Sequence, residues 1–304
     1  MTSSTCTRVI DSHLHVWASD KEASSGFPYA DGHPPPEKLR NAGSISALLK
    51  QMDEHGVAGA LIVQPINHKF DHSYVTHALQ THPTRFKGML LHDPSLDTTE
   101  AVSRLENLAL QGYVGVRFNP YLWPETGAGG WESMSEGAGL AVYRRCGELF
   151  MPVGVMCFQG LQLHYEDIIA LLKASPKTTL ILDHFGFASF TPEGDAAFEK
   201  LLELAEYSQV IVKISALFRL DDPSPYERVR TERFEPLLAA FGPDRLMFWS
   251  DFPYVLAQPE SYGGTVKLVQ TWIEQDSISN ALFHGTAERI FGPWGCIDSP
   301  KINS

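Results

Sequence analysis

Short apolar runs alternate along this 304-residue chain with segments whose apolar residues recur every three or four positions. The short runs predict buried strands, and the periodic segments predict amphipathic helices. The clearest helix follows Ser44, a favourable N-cap, with Ile45, Leu48 and Met52 on one face. Eight strands are predicted, at residues 9–16, 59–64, 86–91, 113–118, 153–158, 179–182, 210–214 and 246–249.

Strands that alternate with helices predict parallel strands joined by right-handed crossovers. Eight such units in about 250 residues are typical of a (β/α)8 TIM barrel, so we expect a single barrel domain over residues 1–304. A doubly wound open sheet is the alternative, but it would not bring together polar groups that follow the first, sixth and eighth strands. Segments 18–42 and 121–139 are rich in glycine and proline and predict long loops after strands 1 and 4.

The charge of the chain limits its partners. The formal net charge is −12 and the pI is about 5.4. Nucleic acids and anionic membranes bind clustered Lys and Arg, so neither is expected as a partner. No apolar run approaches the length of a membrane helix, and the four cysteines form no CxxC pair. We therefore expect a cytoplasmic protein with a small-molecule partner, and a homodimer is a candidate assembly.

Imidazoles and one carboxylate stand where three predicted strands run out into loops, which is where α/β barrels carry out chemistry. His13 and His15 lie two apart on the first strand, so both point to the same side. His184 follows the sixth strand and Asp251 the eighth. These four residues could hold one divalent ion, with zinc or manganese best suited to imidazole and carboxylate ligands. Catalysis without a metal stays open, because the same groups could polarise a carbonyl and activate water directly.

Four sequence blocks, in this order along the chain, resemble the amidohydrolase-related barrel family. They are Asp11-Ser12-His13-Leu14-His15, Leu182-Asp183-His184-Phe185-Gly186, Val212-Lys213-Ile214-Ser215, and the segment from Arg245 to Pro253. More narrowly, they resemble its lactone-hydrolase branch, which includes pyrone-dicarboxylate lactonase and sugar lactonases. The resemblance runs from about residue 8 to 292. Trp249 departs from the pattern, because a glycine usually precedes Ser-Asp, and the indole should crowd Asp251. The fifth strand has no histidine, and no strand offers the carboxylated lysine of two-metal relatives, so a two-metal site is not expected.

The resemblance implies hydrolysis of a lactone, with a carboxylate-bearing lactone favoured as substrate. Asp251 would act as general base, collecting the proton of the attacking water and passing it to the leaving oxygen, and His184 is the second catalytic candidate. The alternatives are a metal-dependent carboxy-lyase of an aromatic or dienoic acid, a C–N amidohydrolase, and a non-catalytic barrel. The related carboxy-lyases have a similar barrel with one additional histidine on a strand. This sequence has no such histidine. Intact His13, His15 and Asp251 argue against a non-catalytic barrel.

Polar and aromatic residues that follow the strands are candidates for substrate binding. Arg117 ends the fourth strand and is suited to bidentate binding of a substrate carboxylate. A structural ion pair with Asp11 or Asp183 is the alternative role for this arginine. Asp11 is expected to support the site from behind, and His92 is equally a turn residue. The other candidates are Trp17, Gln64, Asn119, Lys213, Ser215, Arg219 and Tyr254.

Overall fold

Eight parallel strands form a barrel in the computed structural model, which describes residues 8–127 and 130–295. Each strand pairs with the next one along the chain. This order confirms the predicted (β/α)8 TIM barrel and excludes the doubly wound sheet. The strands are β1 (Val9–Leu14), β2 (Val57–Val63), β3 (Phe86–Leu91), β4 (Tyr113–Phe118), β5 (Val153–Val155), β6 (Leu180–Leu182), β7 (Val210–Ile214) and β8 (Leu246–Phe248).

Helices connect the strands and cover the outer face of the barrel. The helix after Ser44 forms as predicted: the Ser44 side chain accepts a hydrogen bond from Ala47 N, and the helix ends at Gly56 in the left-handed conformation. None of the helices in the described part of the chain is long and apolar enough to cross a membrane. The helices are α1 (Asp20–Ser25), α2 (Ile45–His55), α3 (Ser73–Thr81), α4 (Thr98–Ala109), α5 (Gly137–Glu148), α6 (Tyr165–Ala174), α7 (Pro192–Glu203), α8 (Glu227–Val229), α9 (Glu235–Phe241), α10 (Ser261–Thr271), α11 (Asp276–Asn280) and α12 (Thr286–Phe291).

Several predicted bounds differ from the structure. β1 ends at Leu14 rather than at residue 16, because His15 N bonds to Phe252 O, a loop carbonyl, at 2.7 Å. β5 and β8 also end early, and β2 begins earlier, at Val57. The predicted loop 18–42 contains α1 and a helical turn, and the predicted loop 121–139 overlaps the start of α5. His15 and the residues that follow β8 therefore lie just beyond the strands, at the rim.

Polar groups join the first and last strands. Within the described residues, no strand ladder pairs β1 with β8. Instead, the Asp11 carboxylate accepts hydrogen bonds from Ser250 N (3.1 Å) and Ser250 Oγ (2.5 Å). Asp251 N donates to His13 O at 3.2 Å. The residues that close the barrel are thus the neighbours of the predicted functional side chains.

The barrel interior is layered. An apolar layer lies low in the barrel, and Phe291 and Trp294 pack beneath it; its strand residues are Ile10, Leu61, Val63, Met89, Ile181, Ile211 and Met247. Side chains two positions further along a strand point the same way. This next layer holds Asp183 just after β6, Lys213 on β7 and Trp249 just after β8, all buried. The apolar layer thus supports a polar layer just below the carboxyl ends of the strands.

Candidate active site

A cavity of about 230 Å³ opens at the carboxyl ends of the strands. This end of a TIM barrel carries the active site in characterised enzymes. The polar lining residues come from the ends of six strands and their loops: His15, Gln64, Asn67, Arg117, Asn119, His184, Arg219, Asp251 and Tyr254. The apolar lining residues are Pro65, Ile66, Leu91, Met156, Phe158 and Phe187.

His13 and His15 lie side by side with their Nε2 atoms 3.2 Å apart. His15 Nδ1 is 2.9 Å from Val63 O. Because a carbonyl oxygen only accepts, this nitrogen carries the proton and Nε2 presents a lone pair. Burial lowers the pKa of His15 to about 3. Burial, and then the charge of Lys213, hold the pKa of His13 well below its ordinary value. Both imidazoles are therefore neutral near pH 7.

Asp251 is fully buried and adopts a φ of 61°, which is uncommon for a residue with a side chain. Its Oδ2 accepts hydrogen bonds from Arg219 Nη2 (3.0 Å) and Nε (3.3 Å). Its Oδ1 finds no hydrogen-bond partner among the described residues and lies 3.7 Å from His15 Nε2. Burial raises the pKa of the Asp251 carboxyl to about 6, although Arg219 opposes this. One oxygen is thus oriented by a cation, and the other is free to take a proton or to bind an ion.

Three of the four predicted metal ligands come together. The ligand atoms of His13, His15 and Asp251 all lie within 4.8 Å of one another. His13 Nδ1 lies 3.1 Å from Lys213 Nζ and 3.4 Å from Asp183 Oδ1. When Asp183 accepts the proton of this nitrogen, Nε2 is left for an ion. With the unpaired Asp251 Oδ1, the two neutral imidazoles form a donor set that suits zinc or manganese. The residues present therefore fit one divalent ion.

His184, the fourth predicted ligand, lines the cavity but lies outside this three-residue group. Its Nδ1 is 3.1 Å from Ser215 Oγ. Burial, and then the charge of Arg219, hold the pKa of His184 well below its ordinary value. If the Ser215 hydroxyl donates to Nδ1, the neutral ring keeps its proton on Nε2. His184 can then donate a hydrogen bond to a substrate carbonyl.

Trp249 fills the space beneath His13 and His184. Its indole is fully buried and stacks on His184, with the ring centroids 4.3 Å apart. The His13 ring lies 3.5 Å from the indole, and Lys213 Nζ lies 4.9 Å from it. The indole Nε1 has no hydrogen-bond partner among the residues that the structure describes. The indole, which was expected to crowd Asp251, therefore packs mainly against the imidazoles of His13 and His184.

A buried ionic group lies below the cavity, centred on Asp183. Its Oδ2 is 3.0 Å from Arg117 Nη2, without the alignment of a hydrogen bond, and its Oδ1 is 3.6 Å from Lys213 Nζ. Burial lowers the pKa of Lys213 to about 8. With the Arg219–Asp251 pair included, three basic side chains face two carboxylates. Arg117 and Arg219, the two basic side chains that line the cavity, favour an anionic substrate.

Five of the predicted substrate-binding residues line the cavity, namely Gln64, Arg117, Asn119, Arg219 and Tyr254. The other three do not line it. Trp17 is fully buried, donates from Nε1 to Arg40 O at 3.0 Å, and packs against Tyr254. Lys213 and Ser215 lie deeper and contact the site histidines instead.

Two further residues singled out from the sequence lie outside the cavity. Asp11 bonds the backbone and hydroxyl of Ser250 and so lies behind the site. His92 packs between Phe118 and Trp123, with ring centroids 5.1 and 5.2 Å away. Burial lowers the pKa of His92 to about 4. This histidine therefore acts as a neutral packing residue.

The sequence profile of the amidohydrolase family matches residues 10–292. This chain belongs to the amidohydrolase family. The 4-sulfomuconolactone hydrolase of Rhizobium radiobacter is 27% identical to this amidohydrolase over 300 residues, covering 93% of this chain and 89% of the relative. The L-fucono-1,5-lactonase of Burkholderia multivorans is 35% identical over 140 residues, covering 41% and 47%. A solved structure from Pseudomonas putida, assigned as a 2-pyrone-4,6-dicarboxylic acid hydrolase, has a TM-score of 0.76 and 25% identity, covering 94% and 98%.

The apolar lining of this amidohydrolase was not singled out from the sequence. Leu91, Met156 and Phe158 all fall at the ends of predicted strands, where an apolar residue reads as part of the strand. Early termination of β5 at Val155 places Met156 and Phe158 in the loop, where they line the cavity. The alternation of side chains along a strand could have indicated these positions. A residue two places beyond one that points into the barrel points the same way and so faces the cavity.

Proposed function

We propose that this amidohydrolase hydrolyses a lactone that carries an anionic group. The observation that carries the proposal is the Asp251 carboxylate beside the cavity, with one oxygen held by Arg219 and the other free next to His15. Two lactone hydrolases among the relatives, together with the shared barrel, support the reaction class. An ester in a ring needs an activated water, a polarised carbonyl and a proton carrier, and the site has a candidate for each.

Asp251 is the candidate general base. With a pKa raised to about 6, its carboxyl is ionised at neutral pH but more basic than an exposed aspartate. The free Oδ1 takes the proton of the attacking water while Arg219 holds the other oxygen in place. His184 donates its N–H to the carbonyl oxygen as negative charge develops there. The ring C–O bond then breaks, and Asp251 returns the proton to the leaving oxygen, giving a hydroxy acid.

We further propose that His13, His15 and Asp251 bind one divalent ion, zinc in first place and manganese as the alternative. When bound, such an ion supplies Lewis acidity toward the carbonyl and lowers the pKa of water near it. Lys213 and Asp183 flank His13 Nδ1 and control which of its nitrogens keeps the proton. Asp251 and His184 can also carry out the proton transfers without an ion.

Arg117 is the proposed site for the substrate anion. Its guanidinium lines the cavity, and its Nε and Nη2 form no hydrogen bond within the described part of the chain. The pairing with Asp183 keeps the guanidinium in place beneath the cavity. A carboxylate in the cavity would complete the hydrogen bonds that this buried cation lacks.

Asp251→Asn tests the proposed function. The amide keeps the shape of the side chain and loses the base, so kcat on an anionic lactone should fall by at least about 10²-fold, in line with general-base steps. Substrate binding, measured by calorimetry with the unhydrolysed lactone, should persist. The matched control is Asp221→Asn, which changes an exposed aspartate in the loop after β7 and should leave kcat unaltered. A variant that keeps more than about a tenth of the activity would remove Asp251 from the mechanism.

A further inference from the structure

One side of the cavity presents mainly apolar side chains to a bound substrate. It consists of five apolar residues that we call the apolar wall: Ile66, Leu91, Met156, Phe158 and Phe187. Leu91 ends strand β3, and three other wall residues follow β5 and β6, whereas Asp251 and His15 follow β8 and β1. Because the strands are ordered sequentially around a barrel, β4 and β5 lie across from β8 and β1. The wall therefore lies across from Asp251 and His15, whereas His184 lies on the wall side, with its ring 4.7 Å from that of Phe187.

Two backbone N–H groups of the wall are already hydrogen-bonded. Leu91 N donates to His72 Nε2 at 3.1 Å, and Met156 N donates to Phe118 O at 3.1 Å. The Phe158 ring packs on Tyr121, with ring centroids 4.0 Å apart. A substrate group that approaches Leu91 or Met156 thus meets C–H and thioether surface rather than a free N–H donor.

Besides His184, the polar groups in this half of the lining are few and are suited to one anion. Arg117 and Asn119 come from the end of β4, between the wall residues of β3 and β5. Asn119 Oδ1 already accepts from Tyr121 N at 3.3 Å. A carboxylate can pair with the Arg117 guanidinium there, but hydroxyl groups spread around a ring would not all find partners.

We propose that this cavity selects lactones whose carbons away from the ester are unsaturated or hydrocarbon, with a single anionic group, and rejects polyhydroxylated lactones. A hydroxyl pressed against the wall loses its hydrogen bonds to water without replacement. Each such hydroxyl should lower kcat/KM about tenfold, because a site discriminates strongly when polar groups are left unpaired. The inference rests on the proposed lactone hydrolysis and narrows its substrate class.

Two five-membered lactones of similar size test the proposal. One is a butenolide that carries a carboxymethyl group, and the other is glucaro-1,4-lactone, which carries a carboxylate and several hydroxyls. We expect kcat/KM for the butenolide to exceed that for glucaro-1,4-lactone by at least about a hundredfold, from two or more unpaired hydroxyls. Comparable values for the two would overturn the inference and leave the proposed function standing. If neither lactone, nor any other anionic lactone, is hydrolysed, the proposed function itself fails.

Met156→Gln tests the wall directly, because it keeps the length of the side chain and adds an amide. It should improve kcat/KM for glucaro-1,4-lactone relative to the butenolide by at least about fivefold. The matched control is Met156→Leu, which keeps the wall apolar and should leave the ratio unchanged. Phe158→Tyr provides a second variant, since Phe158 is 47% exposed and tolerates a hydroxyl without unfolding. An unchanged ratio in both folded polar variants would contradict the role of the wall.

Discussion

Asp251→Asn should make the protein more stable as well as inactive. The folded-state pKa of Asp251 is about 6, against an ordinary value of 3.8. Because the folded state binds this proton more tightly than the unfolded chain, the wild-type protein loses stability as the pH rises from about 4 to 6. At about 1.4 kcal/mol per pH unit, the buried carboxylate costs about 3 kcal/mol at pH 8 and about half of that at pH 5. Asparagine is neutral at every pH and avoids this cost.

Urea denaturation at pH 5 and pH 8 measures the effect, with EDTA present so that no bound ion stabilises the wild type through Asp251. The variant should gain about 3 kcal/mol in free energy of unfolding at pH 8 and roughly half as much at pH 5. Arg219 is partly exposed, so losing its anionic partner offsets little of the gain. Asp221→Asn, at an exposed position, should show no gain at either pH. A variant no more stable than wild type, or one whose gain is larger at pH 5, would refute the account of Asp251 as a destabilised base.

Three further predictions follow from the site. The wild-type kcat/KM should fall about tenfold per pH unit below about pH 6, because Asp251 is then protonated; a flat profile down to pH 5 would assign the base elsewhere. Arg117→Met should raise KM for carboxylated lactones at least about tenfold and change neutral lactones little, as steady-state kinetics on both can show; equal losses together with lower thermal stability would make this arginine structural. Trp249→Ala should lower the free energy of unfolding by about 3–5 kcal/mol, because it empties the space beneath His13 and His184; a loss below about 1 kcal/mol in urea denaturation would show that the indole is not tightly packed.

Most of the barrel could be predicted from the sequence, and the omissions have physical causes. The apolar face after Ser44 predicts α2, but the sequence pattern does not predict α3 or α5. α3 spans only nine residues, and His72 at its N-cap makes no capping hydrogen bond, so the sequence carries no clear signal for its start. α5 begins at Gly137 after a glycine-rich segment, and this start reads as loop.

The candidate site could be predicted only as far as strand geometry fixes it. Alternation on β1 explains why the Nε2 atoms of His13 and His15 lie 3.2 Å apart. The pairing of Asp183 with Arg117 was only one of two roles considered for that arginine. Whether this ion pair forms depends on which side chains share a layer across the barrel. The spacing of residues along the sequence does not show which side chains these are. The same holds for Trp249, whose neighbours come from three other strands.

The hydrogen bonds between Asp11 and Ser250 have a consequence for how the protein matures. These partners are separated by 239 positions, and the two candidate histidine ligands and Asp251 lie beside them at the same junction. During synthesis, the first strand leaves the ribosome long before the last one exists. A nascent chain therefore carries two imidazoles without their carboxylate and gains the full site only when β8 docks against β1. The site is completed in the same step as the barrel. A truncated or half-folded chain therefore cannot catalyse the reaction.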